Sequence, residues 1–412
     1  MEITCPKCSV TTIAAGVSVD LHQFGCPNCS SLSYITHNSN FNFIRKFDFT
    51  TADIVLKVGQ KGVLKGVEYT VTGVIVKKVQ KHYFWREYIL TAEADEQLYL
   101  SETDGHWILL RKVDDKYDVN GYPETYNYDG RWMNLYDYDD PKIVMAAGFF
   151  DFDVLPKRQR MIEYIDPPYI FSVEEGDEGQ TTYFGEHISK GTIKSAFGVK
   201  SMPYKSGVGI VQPFAVNVRQ MAIIFCCIAV LILTSHLFIY SGRQSTTVVK
   251  EALSFSDFNG KDFVTKPFTL EGGSAPLTIS VHSDVNNSWA SVQVGLVNEK
   301  TSDEEYANKD IEYYHGYEGG EHWTEGETNE NFDICGVSAG TYHLVITPQK
   351  APEDTSNNYI SVEAEWNRPS VWNMVIPIVV MLGITILCYY LGLYFEQRRW
   401  ADSSYSPYAS NE

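Results

Sequence analysis

MAIIFCCIAVLILTSHLFIY, residues 221–240, contains no Asp, Glu, Lys or Arg. As a helix this stretch rises ~30 Å, the thickness of a bilayer's hydrocarbon core. Eleven of its residues are Ile, Leu, Val or Phe, each favouring insertion by roughly 0.3–0.6 kcal/mol near the centre. It reads as a membrane span rather than a buried core helix. A second run, 371–395, holds 13 such residues and no charge, with Arg368 before it and Arg398 and Arg399 after it. Trp372 and Tyr394 lie where interfacial aromatics gather. Pro377 is a fault that membrane helices tolerate. The two runs divide the chain into parts that have to be read separately.

The 412 residues leave room for two or three folded units. A hydrophobic share of 44% excludes disorder as the main state. A net charge of −19 argues against nonspecific binding to nucleic acid or anionic lipid, which needs a positive field. Residues 1–29 lack the apolar core of a secretory signal. Near the spans, Lys200, Lys205, Arg219, Arg398 and Arg399 lie on one side, and Arg243, Lys250 and Arg368 on the other. That excess favours both termini in the cytoplasm and residues 241–370 outside. The middle segment has 8 basic and 21 acidic residues, a net of −13, against −5 for the first 220 (23 basic, 28 acidic). A bacterial inner membrane suits that asymmetry. Two isolated spans cannot line a conduction path, so a membrane-protein partner or a homo-oligomer is expected.

Cys5-Pro-Lys-Cys8 and Cys26-Pro-Asn-Cys29 are separated by 17 residues, the spacing of a zinc ribbon. Each pair sits on a tight knuckle that directs two thiolates to one point. Four sulfurs close a tetrahedron with no open position, so structural Zn²⁺ is expected in residues 1–44, ahead of another metal or disulfides. Thiolates also suit a reducing compartment. Lys7 is the one Lys or Arg in residues 1–44, so the ribbon is not expected to contact nucleic acid.

Residues 45–200 read as a small β-barrel-like domain. Short strands are expected at Val55–Leu64, Tyr69–Lys78, His82–Glu93, Gln97–Ser101 and His106–Arg111, with Asp104-Gly105 as a hairpin turn. Trp85, Tyr88, Trp107 and Trp132 are expected in the core. Tyr126–Asp140 is expected as a solvated loop. Asp166-Pro167-Pro168-Tyr169 is expected to join two strands, and Gly185–Phe197 to be a loop entering a helix that ends at Gly198. His82, Glu87 and His106 could form an acid–base set, but strand residues are the simpler reading. No nucleophile elbow, phosphate loop, dinucleotide glycines or zinc-protease motif is present. The chain is therefore expected not to be an enzyme. Residues 201–220 read as a linker and 396–412 as a cytoplasmic tail.

The elements VGQKGVLKGVEYTVTGVI (58–75), WREYIL (85–90), LYLSETDGHWILL (98–110), IEYIDPPYIFSVEEG (162–176) and GEHISKGTIKSAFG (185–198) resemble the bacterial family of domain of unknown function 4178 (DUF4178). The resemblance covers about residues 55–200. It implies a zinc ribbon and membrane spans as companions, and a setting beside polyamine metabolism and envelope stress. It defines no catalytic residue.

Residues 241–370 alternate strand and turn signals and are expected to form a jelly-roll-like β-sandwich. Ile311–Glu327, IEYYHGYEGGEHWTEGE, stands out. Tyr313, Tyr314, Tyr317 and Trp323 alternate with Glu318, Glu321 and Glu325. Rings and carboxylates together can hold a cation such as a polyamine. The plainer reading is two strands (311–315 and 321–325) with rings in the core and acids in water. His282, His315 and His322 are a weaker metal candidate. The sequence as a whole describes a mainly β, multidomain membrane adaptor or sensor. An accessory subunit of a transporter or channel, or an enzyme with its site in the cytoplasmic β domain, are the alternatives.

Overall fold

The computed structural model describes residues 2–13, 21–36, 40–48, 54–79, 83–93, 96–117, 121–177, 179–241, 245–368 and 370–408. The chain forms two compact units: residues 1–218 with 386–412, and residues 219–385.

A 14-stranded antiparallel sheet dominates the first unit. In spatial order it runs Thr125–Tyr128, Arg131–Asp139, Gln159–Asp166, Tyr169–Gly176, Gly179–Ile188, His106–Val113, Gln97–Thr103, Tyr83–Ala92, Val67–Val79, Lys142–Phe150, Gln23–Gly25, Ser31–Ile35 and Phe41–Lys46, with Lys61–Leu64 also on Val67–Val79. Three strands of the cysteine-bearing segment thus extend the large sheet. The Asp104-Gly105 turn has positive φ at both residues (49° and 77°), the geometry that matches strand twist in a two-residue hairpin.

Two expectations are corrected here. Tyr126–Asp140 is a hairpin, Thr125–Tyr128 against Arg131–Asp139, not a solvated loop. Alternation explains it: Tyr128, Met133 and Leu135 face the core, so an apolar side exists beneath the acidic one. The same alternation turns Trp132 outward, 68% exposed rather than in the core. Trp85, Tyr88 and Trp107 are buried. Residues 185–188 belong to a strand. The helix is Lys190–Phe197, capped by Ser189, which accepts from the Thr192 N–H, and ended by left-handed Gly198. Its Ile193 and Phe197 cover Leu64, Tyr69, Val71, Leu90 and Leu100.

The sheet is curled. Tyr169–Gly176 and Val67–Val79 are separated by four intervening strands, which in a flat sheet is about 24 Å. Yet Lys77 Nζ lies 2.6 Å from Glu174 Oε1. Only a rolled sheet lets these side chains meet across its concave face. Three glycines stand side by side where the cysteine-bearing strands join: Gly25 opposite Gly148 opposite Gly73. Gly148 has φ +112°, and a Cβ there would sit 2.2 Å from the Thr72 carbonyl oxygen. At Gly148 and Gly25 the neighbouring backbone lies too close for any side chain.

The second unit holds nearly all of the first apolar helix, the first half of the second, and a two-sheet sandwich. The helices are Val218–Tyr240 and Trp372–Arg399, both slightly longer than the apolar runs. One sheet is ordered Thr246–Ser254, Tyr359–Trp366, Ala275–Ser283, Asn329–Val337. The other places Phe263–Val264 and Phe268–Leu270 on Gly340–Lys350, followed by Ser288–Asn298, Glu304–Glu318 and Glu321–Glu327. Leu277, Ile279, Val281, Val362 and Ala364 from the first sheet meet Val292, Val294, Leu296, Leu344 and Ile346 from the second in one core.

Candidate functional sites

The four cysteines converge. Cys5 and Cys8, on one knuckle, face Cys26 and Cys29 on the other, with all four sulfurs within 4.8 Å of one another. Cys5 Sγ is 3.7 Å from Cys29 Sγ and Cys8 Sγ 3.6 Å from Cys26 Sγ. Metal–sulfur bonds of ~2.3 Å in a tetrahedron require sulfurs about 3.8 Å apart. The knuckles repeat each other: the Ser9 N–H donates to Cys5 O and the Ser30 N–H to Cys26 O, with positive φ at both serines. Burial pushes the Cys26 thiol up to about 12. Cys8 is held at about 6 by the Val10 N–H and Asn28. The set can hold a metal ion. It is the sole group of metal-ligating side chains gathered this way among the described residues.

A second constellation was hidden from sequence reasoning. Arg398 and Arg399 counted there as topology charges. In the structure Arg399 is buried at the end of Trp372–Arg399 and uses all five of its donors. Nη1 donates to the carbonyls of Gly209 (2.9 Å) and Ile210 (2.7 Å), and Nη2 to Gln212 (2.5 Å) and Glu396 (3.1 Å). Nε completes the fork on Glu396 at 2.9 Å. Tyr136 Oη donates to Arg399 O at 3.1 Å. Trp400 packs on Tyr136, ring centroids 5.2 Å apart, and Phe214 on Phe395 at 5.3 Å. The segment preceding the first apolar helix, the end of the second and strand Arg131–Asp139 are therefore knotted together.

The concave face of the rolled sheet carries a third group. Lys77 is bound by Glu87 (2.9 Å) and Glu174 (2.6 Å). Trp85 Nε1 donates to Glu87 at 2.7 Å. Burial lowers the Lys77 pKa, but the two carboxylates outweigh it and raise it. Glu163 is pushed up to about 8, first by burial and then by Asp137, Glu87 and Glu174. Of the acid–base set, Glu87 is thus in an ion pair, and His106 Nε2 lies 3.0 Å from Ser206 O. His82 lies outside the described residues.

The aromatic and acidic residues of the sandwich form a hairpin, Glu304–Glu318 against Glu321–Glu327. The rings are not in the core as the plainer reading held. Tyr317 is 65% and Trp323 42% exposed, and only Tyr313 packs on the core. The cause is position: Glu321–Glu327 ends its sheet and has no second sheet beneath it. The register sets Glu312 opposite Glu327, Tyr314 opposite Glu325, Gly316 opposite Trp323, and Glu318 opposite Glu321. These pairs share one face. Tyr313 and Tyr317 lie on the other. The histidines part company: His282 takes Asp284, His315 takes Asn286 and His322 packs on Tyr317.

Residues 57–190 match the family model described as domain of unknown function (DUF4178). No curated protein matches the chain. Among solved structures, the infectious bursal disease virus VP2 subviral particle is 10% identical over 84% of this chain and 67% of that one, with a TM-score of 0.17. A carbohydrate-binding module of the β-sandwich superfamily is 9% identical over 65% and 93%, at 0.15. The Cry4Aa toxin from Bacillus thuringiensis is 9% identical over 78% and 55%, at 0.18. These overlaps carry no argument about fold or function.

Proposed function

We propose that this chain is a non-enzymatic, membrane-anchored adaptor or sensor. Its first unit and tail lie in the bacterial cytoplasm, its sandwich lies across the inner membrane, and Val218–Tyr240 and Trp372–Arg399 are the spans. The observation that carries this reading is the five-donor Arg399 junction. It ties both helix-flanking segments to a strand of the DUF4178-containing unit, so a displacement of either helix has a fixed route into that unit. The strand orders of the sandwich support a jelly-roll assignment. The sulfur spacing supports structural zinc held by Cys5, Cys8, Cys26 and Cys29. Elemental analysis is expected to give about one zinc per chain.

Two measurements test the reading. Cys335 is exposed on the sandwich and should react with an impermeant thiol reagent in intact spheroplasts. Protection until lysis would reverse the topology. Mass spectrometry of material copurifying in mild detergent should find a stoichiometric membrane protein with the native chain and less of it with Arg399→Ala. A homo-oligomer free of partners would replace the adaptor by a self-contained sensor, and measurable turnover of a small molecule would discard both.

A further inference from the structure

The strand Glu321–Glu327 contributes no side chain to the sandwich core and every residue of it is exposed. It closes no sheet: it is the terminal strand of its ladder among the described residues. Its outer face, shared with Glu304–Glu318, bears Glu312, Glu318, Glu321, Glu325 and Glu327 around Tyr314 and Trp323. Two of the cross-strand pairs, Glu312–Glu327 and Glu318–Glu321, set like charges directly opposite, an arrangement that destabilises a hairpin by itself. Residues 304–333 hold ten Asp or Glu and one Lys or Arg, Lys309. Lys309 is engaged with Glu330 at 2.8 Å. The indole of Trp323 lies over Gly316, where a Cβ would be 2.7 Å from the ring. At Gly326, φ +79°, a Cβ would lie 2.0 Å from the Glu312 carbonyl oxygen, so no side chain fits there. The hairpin is held in register while its free edge and its charge are left unanswered.

We propose that this edge is a docking surface for an extended segment of a partner protein with Lys or Arg at every second position. An edge strand presents unpaired N–H and C=O groups that an incoming strand completes. Side-chain period two then places the alternate cations on the face of Glu321, Glu325 and Glu327, relieving the like-charge pairs, with long stems against Trp323. Charge complementarity and the open ladder select the same occupant. The proposal stands apart from the adaptor reading and does not need the Arg399 junction.

The test uses the full chain in neutral detergent and fluorescence anisotropy of labelled heptapeptides. The alternating peptide Lys-Thr-Lys-Thr-Lys-Thr-Lys should bind about tenfold tighter than Lys-Lys-Lys-Lys-Thr-Thr-Thr of equal charge, through several added cross-strand pairs. N-methylation of its pairing amides should erase that advantage. The isosteric pair Glu321→Gln and Glu325→Gln, at exposed positions, should weaken binding by about tenfold while the circular dichroism stays unchanged. Equal affinity for the two peptides, or full displacement by an equal concentration of spermine, which carries four charges like the four lysines, would reduce the surface to diffuse cation attraction and overturn the proposal.

Discussion

Lys77 carries a charge into the middle of a rolled sheet and is answered there by Glu87 and Glu174. Lys77→Ala strands both carboxylates, with an expected cost of about 3–5 kcal/mol, read as a lower denaturant midpoint. Changing all three to Met, Gln and Gln should recover most of that loss, because the expense lies in unpaired charge. Glu163 makes a pH prediction. Its folded pKa of about 8 stands above the ordinary 4.5, so the folded chain keeps a proton that the unfolded chain releases. That contribution is complete below about 4.5 and is lost as pH rises through 8. Burial raises Glu87, Glu102 and Asp137 in the same sense. His106 and His187 are lowered by burial and act in the opposite sense, below the ordinary histidine range. Cys8, held at about 6, acts in the opposite sense across the same range, so the test is a difference: from about pH 6.5 to 8.5 the thermal midpoint of the native chain should lose ground to that of Glu163→Gln. An identical slope in the variant would remove Glu163 from the account.

At the scale of elements, the row Gly25–Gly148–Gly73 holds the cysteine-bearing strands against the large sheet. Gly148→Ala forces a side chain into the Thr72 carbonyl at a backbone angle that favours glycine. It should cost at least about 1–3 kcal/mol, visible as faster amide exchange in Gln23–Gly25 and Lys142–Phe150. The parts of this unit legible in the sequence were those coded locally. The cysteine pairs speak through spacing, the Asp104-Gly105 hairpin through turn chemistry, and the helix after Ser189 through its cap and Gly198. Tyr126–Asp140 misled because its charges lie on the solvent face, masking the alternate Tyr128, Met133 and Leu135 beneath. Trp132 followed the same alternation outward. The rings of Ile311–Glu327 misled in reverse: alternation was read correctly, but nothing local says that a strand is the last in its sheet. The Lys77–Glu174 bridge spans 97 residues and depends on curl, which no window of sequence contains.

At the scale of the molecule, the Arg399 junction ties three segments of the first unit that lie far apart in the chain. Arg399→Lys keeps the charge but cannot supply a planar five-donor fork. It should leave linker carbonyls unanswered, weaken packing of Tyr136 against Trp400, and cost about 1–3 kcal/mol. Tryptic nicking within residues 200–212 should quicken accordingly. Unchanged cleavage would mean that the fork is dispensable. The apolar helices themselves were legible, since length and absence of charge suffice. What their ends touch was not, because an arginine beside a span is equally suited to counting as a topology signal and to filling a carbonyl nest.

Arg399 also fixes an order of events in biosynthesis. It closes on Gly209 across 190 residues, and the strand bearing Tyr136 leaves the ribosome earlier still. Until translation passes the second apolar helix, Tyr136, Val211 and three linker carbonyls lack their cover. A nascent chain whose second helix is misplaced would keep that surface open, a handle by which chaperones and proteases can distinguish it from a finished one. The last helix turn thus acts as a completion mark for the first unit.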